Sequence, residues 1–320
     1  MKLIVSGHDL SEVVEKITWS GDTKQVAREL SFTVAHKADD PYLPKVKIDE
    51  GDPAQLLSDS GDILFLGPVF DIELSASGSV ISYTALDFLF YINNSEISCI
   101  FDGTPEEITA QICGELGIPL GAAAQTGIHV YMPCLGKGAY QAIMAAYTAA
   151  SRQNGKKYIP VMRADKLHII EKGALCGVIL DGSYNLTEAS YSSSLRDMVN
   201  RVAITDKNGN QISATEDTES RQEYGTVQKV LQQEDGEDAS SQARSLLKTF
   251  TQSASVSAVG DVRAVSGYAV IVQEAVTGLY GKFYIESDSH TFEDGKHEMQ
   301  LTLEFELMMD EQEIEQTEGG

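Results

Sequence analysis

Few positions in this 320-residue chain combine the side-chain types and spacing that chemistry requires. The nearest approach is Asp288, His290 and His297, which flank a turn at Glu293-Asp294-Gly295. Facing one another they could hold a metal, because imidazole and carboxylate both suit zinc. No defined ligand motif demands that arrangement. They read instead as structural polar residues on paired strands, turned toward solvent, with no metal. The other histidines, His8, His36, His129 and His168, are scattered. Cys99, Cys113, Cys134 and Cys176 contain no C-x-x-C pair, so they read as small buried hydrophobes and not as a zinc site. Gly136-Lys137-Gly138 superficially suggests phosphate binding. A P-loop, however, needs glycine where Tyr131 stands and a hydroxyl residue where Gly138 stands. It reads as a flexible turn before a helix. The nucleophile elbow G-x-S-x-G is absent. Carboxylates are so abundant that a glycosidase-like pair would mean little without a pocket. No catalytic, cofactor-binding or metal residue is therefore predicted, and the chain reads as a non-enzyme.

Charge narrows the function further. Forty-eight Asp and Glu against 24 Lys and Arg give a net charge of -24. Binding a nucleic-acid backbone requires a basic surface that releases counterions, so no direct nucleic-acid binding is expected. Acid concentrates between Glu216 and Asp238 and again after Lys296, and both blocks read as solvated faces or loose ends. No apolar run approaches the roughly 20 residues of a membrane helix. The segment after Met1 turns polar before a signal peptide would be complete, so a protein made and kept inside the cell until lysis is expected.

The elements that would position these residues are mostly strands. Leu30, Phe32 and Val34 alternate with polar neighbours, and 63–66, 69–74 and 80–86 continue the pattern around a turn at Ser75-Ala76-Ser77-Gly78. The period then changes. Thr104-Pro105-Glu106-Glu107 has the residues of a capping box, opening a helix that ends at Gly117. A second helix fits 139–153, with Gly155 beyond it, and strands at 157–162 and 166–171 follow. Strands return at 198–204, before an Asn208-Gly209 hairpin turn, and at 268–272, 282–287 and 298–305. Between them a helix is predicted over 238–250, with Ala243, Leu246, Leu247 and Phe250 inward. One internal echo pairs Gly67-Pro68-Val69-Phe70-Asp71-Ile72 with Gly281-Lys282-Phe283-Tyr284-Ile285-Glu286. The predicted fold class is α+β, mainly β: two similar antiparallel β-barrel domains flanking an inserted α+β domain. The boundaries are 1–92 for the first barrel, 93–182 for the insertion, 183–308 for the second barrel and 309–320 for a disordered acidic tail.

Three regions together resemble the XkdQ/YqbQ family of defective prophages such as PBSX. They are 83–96, beginning Tyr83-Thr84-Ala85-Leu86-Asp87-Phe88; 139–162, with Ala139-Tyr140-Gln141-Ala142-Ile143 and Tyr158-Ile159-Pro160-Val161; and 284–305, with Tyr284-Ile285-Glu286-Ser287-Asp288-Ser289-His290. Asn185-Leu186-Thr187 and Met198-Val199-Asn200-Arg201-Val202 also fit. The resemblance implies a baseplate hub of a contractile tail or R-type bacteriocin, similar to late-control D proteins and the hubs of large myophages. Such a hub is a homotrimer whose subunits each give two barrels to a ring, matching a hexameric tube to a trimeric spike. The implied partners are the chain itself, the tail tube protein, the spike protein and a LysM-type baseplate protein, with no cofactor and no membrane insertion. The implied location is the virion or tail-like particle. The competing readings are a hub-associated peptidoglycan hydrolase, or a module docking a cell-wall-binding or spike protein.

Overall fold

The computed structural model describes residues 1–24, 27–35, 46–74, 80–233 and 239–314. The first seven strands are β1 (Lys2–Val5), β2 (His8–Asp9), β3 (Val14–Asp22), β4 (Glu29–Ala35), β5 (Pro53–Leu57), β6 (Ile63–Leu74) and β7 (Val80–Leu86). In β4 the alternation puts Leu30 and Phe32 in the core, with Phe32 stacked on Tyr83 of β7. Gly67-Pro68 does not interrupt β6. The strand pairs with β5 up to Pro68 and with β7 from Val69 onward. Proline, having no N–H to give a ladder, sits where the partner changes. A Cβ at Gly67 would overlap the Leu86 carbonyl, so this crossing needs glycine. The turn expected at 75–78 lies outside the described residues.

Next come α1 (Leu89–Asn93), β8 (Glu96–Gly103), α2 (Pro105–Leu116), β9 (Leu120–Ala123), β10 (Val130–Gly138), α3 (Ala139–Asn154), β11 (Tyr158–Arg163) and β12 (Lys166–Glu171). The capping box forms as the residues require: Glu107 N donates to Thr104 Oγ1 and Thr104 N to Glu107 Oε2, while Gly117 closes the helix at φ +67°. Helix α3 buries Ile143, Ala146 and Tyr147 in a core that takes in Phe101, Ile112, Tyr158 and Ile169. A different core holds Leu3, Trp19, Phe32, Leu56, Phe65 and Tyr83 with Phe292. Gly136-Lys137-Gly138 is not a free turn. Lys137 and Gly138 pair with Ile97 and Glu96 at a bulged end of β10, and Gly136 takes φ +61° at the register shift.

The remaining elements are β13 (Leu175–Asp181), β14 (Leu186–Ser194), β15 (Arg201–Thr205), β16 (Gln211–Glu216), α4 (Thr218–Tyr224), β17 (Gln228–Gln232), α5 (Ala239–Ser245), β18 (Thr251–Val259), β19 (Ala269–Glu274), β20 (Leu279–Glu293) and β21 (Lys296–Glu304). By compactness the chain divides into two units, 1–189 with 255–320, and 190–254. In the larger, the N- and C-terminal strands share one pairing path, β21-β20-β3-β4-β7-β6-β5-β1-β2, joined where β3 and β20 pair antiparallel from Asp22–Ser287 to Lys16–Glu293. The echoed strands β6 and β20 are each bulged against the strand that follows, between Val69 and Asp71 and between Ile285 and Ser287. No described helix is long and apolar enough to cross a membrane.

In the smaller unit, β15 pairs with β16 across the Asn-Gly turn and in parallel with β17. Its core is Val199, Val202, Ile204, Ala239 and Ala243. Two expectations change here. The strand begins at Arg201 and not at Met198, and the buried side chain of Asn200 just before it donates to the Gly225 carbonyl and accepts from Val227 N. The helix predicted over 238–250 covers only Ala239–Ser245, with position 238 outside the described residues. Val199 and Lys248 exchange two backbone hydrogen bonds, which pulls the chain into an extended path and leaves Phe250 47% exposed.

The acidic end also differs from a disordered tail where it is described. Residues 309–314 lie along α3, with Met309 buried in the core that α3 shares.

Candidate functional site

The residues singled out for chemistry meet at the β3–β20 junction. Trp19 stands opposite His290 in the register, and Asp288 lies two residues before it on the same face of β20. Contrary to the solvent-facing expectation, Asp288 is 3% exposed and His290 0%. A buried carboxylate persists only with a partner, and Arg28, just before β4, supplies it. Its Nη1 and Nη2 donate to the two carboxylate oxygens at 2.9 and 2.5 Å. This two-pronged geometry is specific to guanidinium. Asp288 also accepts Ser266 N at 2.6 Å, and Arg28 Nη1 reaches Ser266 Oγ at 3.2 Å. The guanidinium sits 4.3 Å over the Trp19 ring. A Cβ at Gly21 would overlap it.

The histidines form a chain. The Ala264 carbonyl can only accept, so His290 donates to it from Nε2, 3.1 Å away. That leaves Nδ1 of His290 as acceptor for Nε2 of His297 at 3.0 Å. His297 is stacked on Phe292 with ring centroids 4.1 Å apart, and a Cβ at Gly260 would overlap its imidazole. Burial pushes both histidines below the usual imidazole range. His297 falls to about 4, with its neighbour His290 adding to the effect of burial. Both His290 nitrogens and both Asp288 oxygens are thus engaged within the protein. Among the described residues no group of three or more His, Cys, Asp or Glu is arranged to hold a metal ion.

Sequence reasoning missed two members of this site. Arg28 is separated from Asp288 by 260 positions, and nothing local marks it. Asp87 stood inside a quoted motif without a role. Its Oδ1 accepts Leu89 N at 3.0 Å at the start of α1, while Oδ2 is buried without a partner. Burial raises this carboxyl to about 7. The cysteines take no part. Cys113 and Cys134 are buried, and burial lifts their thiols to about 11, which keeps them protonated and unreactive. Cys99 stands opposite Cys134 on β8, and Cys176 lies on β13, both partly exposed. The arrangement as a whole clamps the N-terminal strands to the C-terminal ones. The Arg28–Asp288 pair and the His290–His297 chain are engaged within the protein, while Trp19 Nε1, Arg28 Nε and Asp87 Oδ2 are buried without a hydrogen-bond partner among the described residues.

Known proteins share this architecture. The fold is that of prophage tail proteins: the 43 kDa tail protein of prophage MuSo2 from Shewanella oneidensis matches with a TM-score of 0.72 at 16% identity, covering 95% of this chain and 97% of that one. The c3393 protein of E. coli, a component of the type VI secretion system described as structurally similar to T4 tail proteins gp27 and gp5, matches with a TM-score of 0.52 at 12% identity over 95% of this chain and 76% of its own. The YQBQ-like family model matches residues 17–304, and the chain belongs to that family. Among its relatives, the phage-like element PBSX protein XkdQ of Bacillus subtilis is 24% identical over 308 residues, 92% of this chain and 93% of XkdQ.

Proposed function

We propose that this protein is a structural component of a phage-type tail, the hub that joins a sixfold tail tube to a threefold spike. The observation that carries the reading is family membership across 17–304, together with a fold shared by prophage tail proteins and a type VI secretion component over nearly the whole chain. In this reading the hub is a homotrimer, and each subunit contributes two related β-rich halves to a ring of quasi-sixfold symmetry. The similarly placed bulges in β6 and β20, each against the hairpin partner that follows, support two related halves. The α+β segment 93–182 is then an insertion between them, supported by a core to which it contributes all the buried residues but Leu89, Ile92 and Met309. The role is scaffolding and not catalysis, in keeping with a central ion pair and histidine chain that bond to one another and to the backbone. The protein would act within the particle, between tube and spike, as part of a virion or a headless tail. Subunit-resolution imaging of the assembled particle tests the proposal. Three copies at the tube–spike junction are expected, and two or six copies, or a position elsewhere in the tail, would refute it.

A further inference from the structure

The acidity of the chain hides one basic stretch. Between positions 137 and 172 stand Lys137, Arg152, Lys156, Lys157, Arg163, Lys166 and Lys172, against only Asp165 and Glu171. The chain's own acidic C-terminal residues occupy part of this surface. Asp310 Oδ2 accepts from Tyr140 OH at 2.9 Å, Glu311 pairs with Lys157 at 3.0 Å, and Glu313 pairs with Arg152 at 2.5 Å. The contacts also read the peptide backbone. Gln312 N donates to Oγ1 of Thr148, a residue 1% exposed on α3, and Gln141 Nε2 donates to the Glu313 carbonyl. Ile314 packs on the α3 core, beside a cleft of about 360 Å³ lined by Tyr131, Pro133, Ala145 and Ala149. This surface therefore selects an extended backbone, acidic side chains and an aliphatic anchor.

We infer that this surface of α3, β10 and Lys157 is a docking site for an extended acidic peptide segment of a partner protein, and that residues 310–314 are its resident competitor. Two features support exchange. The ion pairs lie at the surface, with Arg152 54% and Glu313 69% exposed, and such pairs hold weakly and are screened by salt. Tethering just after β21 adds to the resident's own contacts, and a partner held nearby by other contacts gains the same advantage. A nucleic acid is the poorer occupant because it has no amide backbone to offer. Thr148 Oγ1 accepts from a peptide N–H and Gln141 Nε2 donates to a peptide carbonyl. This inference does not depend on the copy number or tube–spike position proposed above.

The probe is a fluorescein-labelled synthetic peptide of residues 309–320, read by fluorescence anisotropy against the full-length chain. The variant Asp310→Lys, Glu311→Lys, Glu313→Lys frees the surface and should bind the peptide, with affinity falling as salt rises. The parent should bind about a hundredfold more weakly, because its tethered segment competes at millimolar effective concentration. Adding Arg152→Glu and Lys157→Glu to the freed variant should abolish binding. A second measurement needs no variant: excess unlabelled peptide should speed amide hydrogen exchange at 309–314 in the parent. Equal binding by parent and freed variant, binding that survives the two reversals, unchanged exchange at saturating peptide, or preference of the freed variant for DNA over peptide would each overturn the inference.

Discussion

Replacing Arg28 by leucine would leave the Asp288 carboxylate buried with Ser266 N as its remaining close donor. The Asp288 side chain is 0% exposed and that of Arg28 16%, so water cannot take over the missing role. Removing one member of a buried ion pair costs about 3–5 kcal/mol, because the other charge stays uncompensated. Asp288→Asn should cost less, about 1–3 kcal/mol. It keeps an acceptor for Ser266 N and leaves the residual charge on the better-solvated partner. With both changes together neither charge is stranded, so the combined loss should fall short of the sum by at least about 1 kcal/mol. The assay is urea denaturation followed by intrinsic fluorescence. Trp19, the only tryptophan in the chain, lies directly beneath the Arg28 guanidinium and reports on the larger unit. Circular dichroism at matched urea separates true unfolding from a local change in emission. A loss below about 1 kcal/mol for Arg28→Leu, or strictly additive single losses, would show that the pair does not clamp the strands.

Three further expectations follow from buried groups. His297 is lowered from 6.5 to about 4 in the fold, so between those values the unfolded chain holds a proton that the folded chain lacks. Its contribution is complete above about pH 6.5 and is lost as pH falls toward 4. His297→Gln should flatten the slope of melting temperature against pH in that window, and an unchanged slope would count against the assignment. Asp87 has the opposite sign: raised from 3.8 to about 7, it makes folding bind an extra proton in between, so its contribution is lost as pH rises through 7. Asp87→Asn should therefore gain stability relative to the parent between pH 5 and pH 8, and parallel melting curves would refute this. Asn200→Ala orphans Val227 N and the Gly225 carbonyl and should cost the small unit about 1–3 kcal/mol. Limited proteolysis should then cut first within 190–254, and unchanged resistance there would refute it.

Much of the local architecture was readable from sequence, because its causes are local. The α2 capping box and Gly117 stop, the α3 span to Gly155 and the alternating strands each need only neighbours a few positions away. The helix expected over 238–250 failed for a non-local reason: Lys248 pairs with Val199, nearly fifty positions earlier. The junction was legible only in part. Spacing around the Asp294-Gly295 turn put Asp288, His290 and His297 on one hairpin, but could not show that the hairpin is buried. Burial depends on β3 pairing with β20, and on Arg28 arriving from 260 positions away. The acidic end shows the same division. Composition alone marks 309–320 as a loose, solvated tail, whereas Arg152 and the hydroxyl of Thr148 on α3, with Lys157 just beyond that helix, give residues 310–314 a place to bind. Short-range patterns determined which elements form. Only the packing of distant segments decided which charges face one another, because Coulomb and hydrogen-bond partners are chosen by distance in space and not along the chain.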